Sequence, residues 1–421
     1  MLNPPQTKQP KTGSRPENAE NLASFFKDRW ICLILAAGLI IRIAVAFGLH
    51  EHFQDAEPPH VWPGTDEAVY HHYGVLSAKA LREQGWQPFI ESAPPPHHFN
   101  WMHYKYTALV LYATENSVFV LRILSIFFAL AAVVFYLGAF SRALPDRKQR
   151  LVFVAMLCLL PSFAFWSALA VKEGVLLFLT ALLCWGISKF WYRSTPWPAL
   201  AWTALWCLVL GCFRIWAGIG FFVVAVPVLL LAHPGRPSLR IALPLTLALL
   251  ASLWLLPNVQ TLIGMFLLHS EKEQITGISN PEFNVFERAH LMEDNQLPRL
   301  APDHGEHFPV IVKMLLAWVL PLPGLSSGST LLTFAGFENV LFLLLSAMAL
   351  FRVGSKLSQI EWIWLGFFLV LFATTTIIGA NLGTIYRNKA MTLPFLTYFA
   401  LTALPRCSQI LRTRPHDPSP D

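Results

Sequence analysis

This chain is poor in charge. Only 13% of its 421 residues are Asp, Glu, Lys or Arg, where ordinary soluble domains carry about 25%. Hydrophobic residues reach 55%, and the mean hydropathy is +0.49. A soluble enzyme is excluded, because even a domain of about 300 residues buries only about three-quarters of its unfolded surface. A disordered chain is excluded by the same apolar excess. Glycine is only 23 residues, which excludes collagen. Cysteine is sparse too. Cys32, Cys158, Cys184, Cys207, Cys212 and Cys407 all avoid the two long polar loops and match no zinc spacing. They read as small buried hydrophobes rather than a disulfide framework. What remains is a polytopic membrane protein. Its net charge of +6 is best read as topology, with no nucleic-acid partner implied.

A spanning helix needs about 20 mainly apolar residues. Such runs lie near 29–50, 116–141, 151–170, 173–191, 198–213, 215–232, 240–268, 336–352, 360–380 and 388–405. Segment 308–323 is short and broken by Pro321 and Pro323, so it reads as re-entrant or interfacial. The expected fold is therefore an all-α integral-membrane bundle of about ten transmembrane helices. Residues 1–27 form a polar tail rather than a cleaved signal peptide, 28–405 the membrane domain and 406–421 a second tail. Short loops bearing Arg142, Arg147, Lys148, Arg150, Lys189, Arg193, Arg236, Arg240, Arg352 and Lys356 all fall on the side of the N-terminus. The positive-inside rule makes that side cytoplasmic, with both termini inside. Loops 51–115 and 269–335 then face the other side, the periplasm in a bacterium, and carry short juxtamembrane helices.

The first loop holds the clearest local signal. Gly64-Thr65-Asp66-Glu67 leads into a run ended by Gly85. Thr65 as N-cap, two acids in the first turn and a terminal glycine predict a helix. Asp66, Tyr70 and Tyr73 share one face of it. A carboxylate beside the bilayer can accept a proton from an attacking hydroxyl, so Asp66 and then Glu67 are candidate catalytic acids; Asp55 and Glu57 are further acids in the loop. The loop also holds His50, His52, His60, His71, His72, His97, His98 and His103, but no His-x-x-x-His pair, so no metal site is expected. Lys105 is a further cation there. Lys172 and Glu173 stand in a short turn on the same side. Lys172 could meet a phosphate, held by Glu173. Arg42 and Arg122 lie inside spans, where a charge needs a partner, and a structural pairing is favoured for both. Arg214 sits at a span edge. Gly383-Thr384-Ile385-Tyr386-Arg387 closes the last outer loop, and Arg387 can grip a phosphate bidentately.

Four features in order resemble a known class. Leu39-Ile40-Ile41-Arg42 precedes Asp66-Glu67 and Tyr70. Val120-Leu121-Arg122-Ile123-Leu124-Ser125 runs to Tyr136 and a basic turn. Leu160-Pro161-Ser162 and Trp166-Ser167 precede Lys172-Glu173. Gly383-Thr384-Ile385-Tyr386-Arg387 enters a last span containing Pro394. This order resembles the GT-C class of polytopic glycosyltransferases, including the protein-mannosyltransferase-like and exopolysaccharide glycosyltransferase families. The likeness covers residues 30–192 and the C-terminal stretch, and hardly the middle. It implies transfer of a sugar from a polyprenyl-linked donor to a glycan, lipid or protein acceptor, with inversion, in cell-envelope or exopolysaccharide synthesis. It implies Asp66 as general base with Glu67 second, Lys172 and Arg387 on the donor phosphate, and Tyr70, Glu173, Arg214 and Lys105 in support. No cofactor is implied for most of the class. A lipid-linked oligosaccharide polymerase or ligase, and a polysaccharide-precursor transporter or flippase, stay open as alternatives. A transporter would show paired broken helices, whereas here the polar residues gather on one face.

Overall fold

The structure, a computed structural model, describes residues 22–62, 66–91, 101–191, 193, 195–234, 318–319, 323, 330–378 and 382–412. The expected span at 240–268, most of the loop at 269–335 and the N-cap Thr65 lie outside these residues. No strand occurs among the described residues. The helices are α1 (Leu22–Phe25), α2 (Arg29–His52), α3 (Asp66–Gln84), α4 (Trp86–Glu91), α5 (Trp101–Ala113), α6 (Val118–Phe140) and α7 (Arg147–Leu159). They continue as α8 (Pro161–Ser167), α9 (Glu173–Phe190), α10 (Trp197–Phe213), α11 (Ile215–Ala232), α12 (Thr330–Val353), α13 (Gln359–Ile378) and α14 (Leu382–Arg412). Among the described residues, five helices are long and apolar enough to cross a bilayer, or six if the bent pair α7–α8 is one span. This is the architecture of a multi-pass α-helical membrane protein.

The helices expected in the first loop, 51–115, are present as α3, α4 and α5; most of the second loop lies outside the described residues. α3 ends at Gly85, which adopts φ +87° and donates to the Leu81 carbonyl. Only glycine takes that conformation freely. α3 packs on α5, and both lie against α6 and the turn before α9. The main core runs between α6, α7, α9, α11, α13 and α14, with Phe140, Phe153, Phe221, Trp364, Phe367 and Tyr398 all fully buried.

The span at 151–170 is not straight. α7 and α8 meet at a 54° bend. Pro161 causes it, since proline has no N–H to give to the Leu157 carbonyl one turn back. Ser162 also withholds its N–H from Cys158 and donates it, with its hydroxyl at 2.6 Å, to Glu338 of α12. Two carbonyls inside the apolar bundle are thus left over. Arg42 takes both, at 3.1 Å from Leu157 and 2.7 Å from Cys158, and also donates to Ser167 Oγ at 2.8 Å. The buried Arg42 therefore repairs a broken helix, as unsatisfied backbone in a membrane requires.

Gly174 sets how closely α9 approaches α6. A Cβ there would lie 2.7 Å from the Ser125 carbonyl oxygen, which cannot swing away. Gly174→Ala is expected to cost about 1–3 kcal/mol by overpacking. Gly48→Ala meets nothing within 4 Å and should be neutral or slightly stabilising. Thermal melts in detergent compare the two.

The two ends of the bundle differ. At one end the α2 start pairs with the α7 start through Asp28 and Arg147, and Arg142, Arg352 and Glu361 line a common cavity. At the other end stand Asp66, the turn at 168–173, Arg214 and Arg387.

Candidate functional site

Glu67 is what fixes α3 in place. Its side chain is fully buried and holds Arg122 of α6 by two bonds, 2.9 Å to Nε and 2.7 Å to Nη2. It also accepts from the Ala170 N–H at 2.9 Å and the Trp62 N–H at 3.1 Å. Arg122 in turn donates to the His60 carbonyl at 2.9 Å and the Ala46 carbonyl at 3.4 Å. One ion pair thereby ties α2, the 60–62 turn, α3, α6 and the turn before α9. Both Glu67 oxygens are committed to these bonds. The adjacent acid, Asp66, faces a different set of partners.

Asp66 Oδ2 lies 2.6 Å from Nη1 of Arg387 at the start of α14. Arg387 Nε lies 3.1 Å from Glu173 Oε1. Lys172, one residue before Glu173, donates to the Tyr70 hydroxyl at 2.6 Å, and Tyr70 is one turn after Asp66 on α3. Arg214, between α10 and α11, donates to Asn388 Oδ1 at 3.3 and 3.4 Å and stacks 4.1 Å over Trp216. Arg387 faces Trp166. The structure thus brings Asp66, Tyr70, Lys172, Glu173, Arg214 and Arg387 into one cluster from α3, α9, α14 and two interhelical turns. All are buried except Asp66, whose side chain is 42% exposed. The carboxylate is the member that a reactant can reach.

The electrostatics follow from this geometry. The surrounding protein alone would raise Asp66, but Arg387 and Lys172 outweigh it and hold the carboxyl below its ordinary range. Burial lowers Lys172 to about 8, with Arg214 pushing the same way. Burial raises the Tyr70 phenol well above its usual value, so it stays protonated. Glu173 is a buried acid that faces Arg387 as an ion pair, yet its oxygens accept no well-aligned hydrogen bond among the described residues. Such under-satisfied groups are costly and concentrate at functional sites. Three cations face two carboxylates here, so the cluster carries one net positive charge and suits an added anion.

His103 was not singled out by the sequence beyond its loop. It packs edge-on to Tyr70 at 4.5 Å. Burial, with Lys172 nearby, pulls it down to about 3 and keeps it neutral. Neither ring nitrogen has a hydrogen-bond partner among the described residues. A histidine behind the predicted Tyr70 face was visible only as one of eight in the loop. Asn388 was missed for the same reason, being an ordinary polar residue until Arg214 meets it.

Other expected residues sit elsewhere. Lys105 donates to the Phe89 carbonyl and lies over that ring, on α4 rather than in the cluster. His50 and His60 stack on each other at 3.8 Å. Among the described residues no group of three His, Cys, Asp or Glu could hold a metal. Trp318 of the broken segment is buried in the bundle, where Lys389 donates to its carbonyl at 2.6 Å; Val319 is exposed, and its carbonyl accepts from Asn339.

The cluster can do two things chemically: hold an anion on Lys172, Arg214 and Arg387, and take a proton on Asp66. No family model, curated protein or solved structure matches the chain.

Proposed function

We propose that this chain is an integral-membrane glycosyltransferase that moves a sugar from a polyprenyl-phosphate-type donor to a glycan, lipid or protein acceptor at the outer face of a bacterial inner membrane. The reading includes about ten spans, cytoplasmic termini and a GT-C-like mechanism with inversion. One observation carries it: a half-exposed carboxylate, Asp66, stands against Lys172, Arg214 and Arg387 at one end of a membrane bundle. A site that must bind a phosphate leaving group and deprotonate a hydroxyl needs these two kinds of group side by side.

In the proposed step the acceptor oxygen attacks the anomeric carbon. The bond from that carbon to the donor's phosphate oxygen breaks, and its electron pair leaves with the phosphate. The acceptor's proton goes to Asp66. Lys172, Arg214 and Arg387 stabilise the charge developing on the phosphate, the role of preplaced donors in a site shielded from water. No metal is proposed, since three fixed cations supply the positive charge the leaving group requires.

The test is transfer by the purified protein in vesicles containing a radiolabelled polyprenyl-linked sugar and membrane acceptors. Label is expected to move to an acceptor, with or without chelator. If label crosses the bilayer still on its lipid, the protein is a flippase. If only diphosphate-linked oligosaccharides are joined, it is a polymerase or ligase.

The Lys172 value gives a pH prediction. The protonated amine is the form that binds phosphate. kcat/KM, which reports the free enzyme, should hold steady below about pH 8 and fall as pH rises through about 8. Lys172→Arg keeps its charge there and should remove the fall. The groups facing Lys172 are Asp66, Tyr70, His103, Glu173, Arg214 and Arg387. Neutral His103 and protonated Tyr70 do not change charge in this window, so a fall that persists in Lys172→Arg would assign it elsewhere.

A further inference from the structure

At the end of the bundle opposite Asp66 lies a cavity of about 450 Å³ between the start of α2 and the start of α7. Lys27, Arg29, Arg147 and Arg150 line it, and Asp28 is the one carboxylate among its lining residues. Asp28 is already committed. It caps α2 by accepting from the Trp30 N–H at 3.0 Å. It also holds Arg147 by two bonds, 2.6 Å from Nε and 2.8 Å from Nη2. That bidentate clasp fixes the Arg147 fork while about half of its side chain stays exposed. Lys27 and Arg29 are exposed, and neither pairs with a carboxylate among the described residues. Lys27 and Arg29 therefore make the cavity a cationic cradle whose one acid is already taken by Arg147.

Its rim continues into apolar surface. Phe26 and Trp30 are exposed beside it, and Arg29 lies against the Trp30 ring. Below them Leu33, Ile40 and Phe47 are exposed along α2. A spacing of seven keeps these three on one side of the helix. So a phosphate held by the cradle has an apolar track leading from it into the bilayer core. A tryptophan at the junction is the usual marker of headgroup depth. A soluble phosphate would use the cradle and leave the track idle.

We propose that this cradle binds the phosphate headgroup of an anionic phospholipid, whose chains lie along the Leu33–Ile40–Phe47 side of α2. The lipid joins the first and third membrane segments at the face opposite the candidate active site. The proposal is independent of the chemistry assigned to Asp66.

The test uses the full-length protein and counts bound lipid by native mass spectrometry. Phosphatidylglycerol, phosphatidylcholine and inorganic phosphate are the three probes. The variant is Lys27→Gln/Arg29→Gln, which leaves the Asp28–Arg147 clasp intact. Wild type is expected to retain phosphatidylglycerol over phosphatidylcholine. The variant should lose about twenty-fivefold in phosphatidylglycerol affinity, since each cation near an anionic lipid is worth about fivefold. Equal retention of both lipids by wild type overturns the proposal, as does unchanged retention by the variant. Displacement of phosphatidylglycerol by inorganic phosphate at matched concentration would make this a soluble-anion site and also overturns it. Should the variant not fold, wild type decides alone: retention must drop steeply as salt is raised, and a flat response refutes the site.

Discussion

Asp66→Asn is expected to abolish sugar transfer while leaving the protein folded and able to bind its donor. The loss in kcat should be about 10²–10⁴-fold, the usual worth of a positioned general base. Asparagine matches the carboxylate in shape and can still accept a bond from Arg387, so the architecture around the 2.6 Å contact should survive. What it cannot do is take a proton. Removing one negative charge beside Lys172, Arg214 and Arg387 also makes the cluster more cationic, so donor affinity should hold or rise. A low carboxyl pKa is no obstacle. The attacking hydroxyl becomes strongly acidic as its bond to the anomeric carbon forms, and a phosphate that takes over Arg387 would release Asp66 upward. Transfer is read from labelled donor, and binding from retention of donor in detergent. Normal transfer by Asp66→Asn would reduce the residue to a helix-start acid. The control substitutions are Asp55→Asn and Glu57→Gln, acids in the same loop that should leave the rate unchanged.

The polar ends of the bundle were more legible than its interior. Lys172 and Arg387 announce themselves because charge is rare here and each sits at the edge of an apolar run, and Asp66 because it opens the helix of the first long loop. Tyr70 followed from the helical period after Asp66. What no local pattern shows is pairing across the chain. Asp66 and Arg387 meet only because α14 returns to α3 after every intervening span. The division of labour between Asp66 and Glu67 is likewise invisible in sequence. Adjacent residues on a helix point about 100° apart, and only the fold decides that one meets Arg122 inside and the other meets Arg387 at the rim. Pro161 was in plain view as a helix breaker. Its consequence, two freed carbonyls that recruit Arg42, needed the geometry of α2 beside α7. Segment 240–268 and most of the loop that follows lie outside the described residues.

Arg122→Met should be the most destabilising single change near the site. Methionine fits the volume but strands Glu67 as a buried carboxylate with its strongest partners gone. Breaking a buried pair from one side costs about 3–5 kcal/mol, a large share of the about 5–15 kcal/mol that holds a typical domain. The expected observation is a sharp drop in melting temperature in detergent. Replacing both partners should cost less. Arg122→Met/Glu67→Gln removes the stranded charge, and the one glutamine oxygen can still accept from the Ala170 amide that now bonds Oε1, although the Trp62 amide on Oε2 loses its acceptor. The double variant should therefore recover part of the loss, and the double-mutant cycle should report a coupling in the upper part of the range of about 0.5–3 kcal/mol seen for contacting residues. Any folded double variant also separates support from chemistry. If Glu67 only positions α3, the variant keeps a reduced rate with the alkaline limb still set by Lys172. If Glu67 were the base, transfer would vanish in Glu67→Gln and persist in Asp66→Asn. The buried geometry of Glu67, with both oxygens committed to fixed donors, predicts the first result.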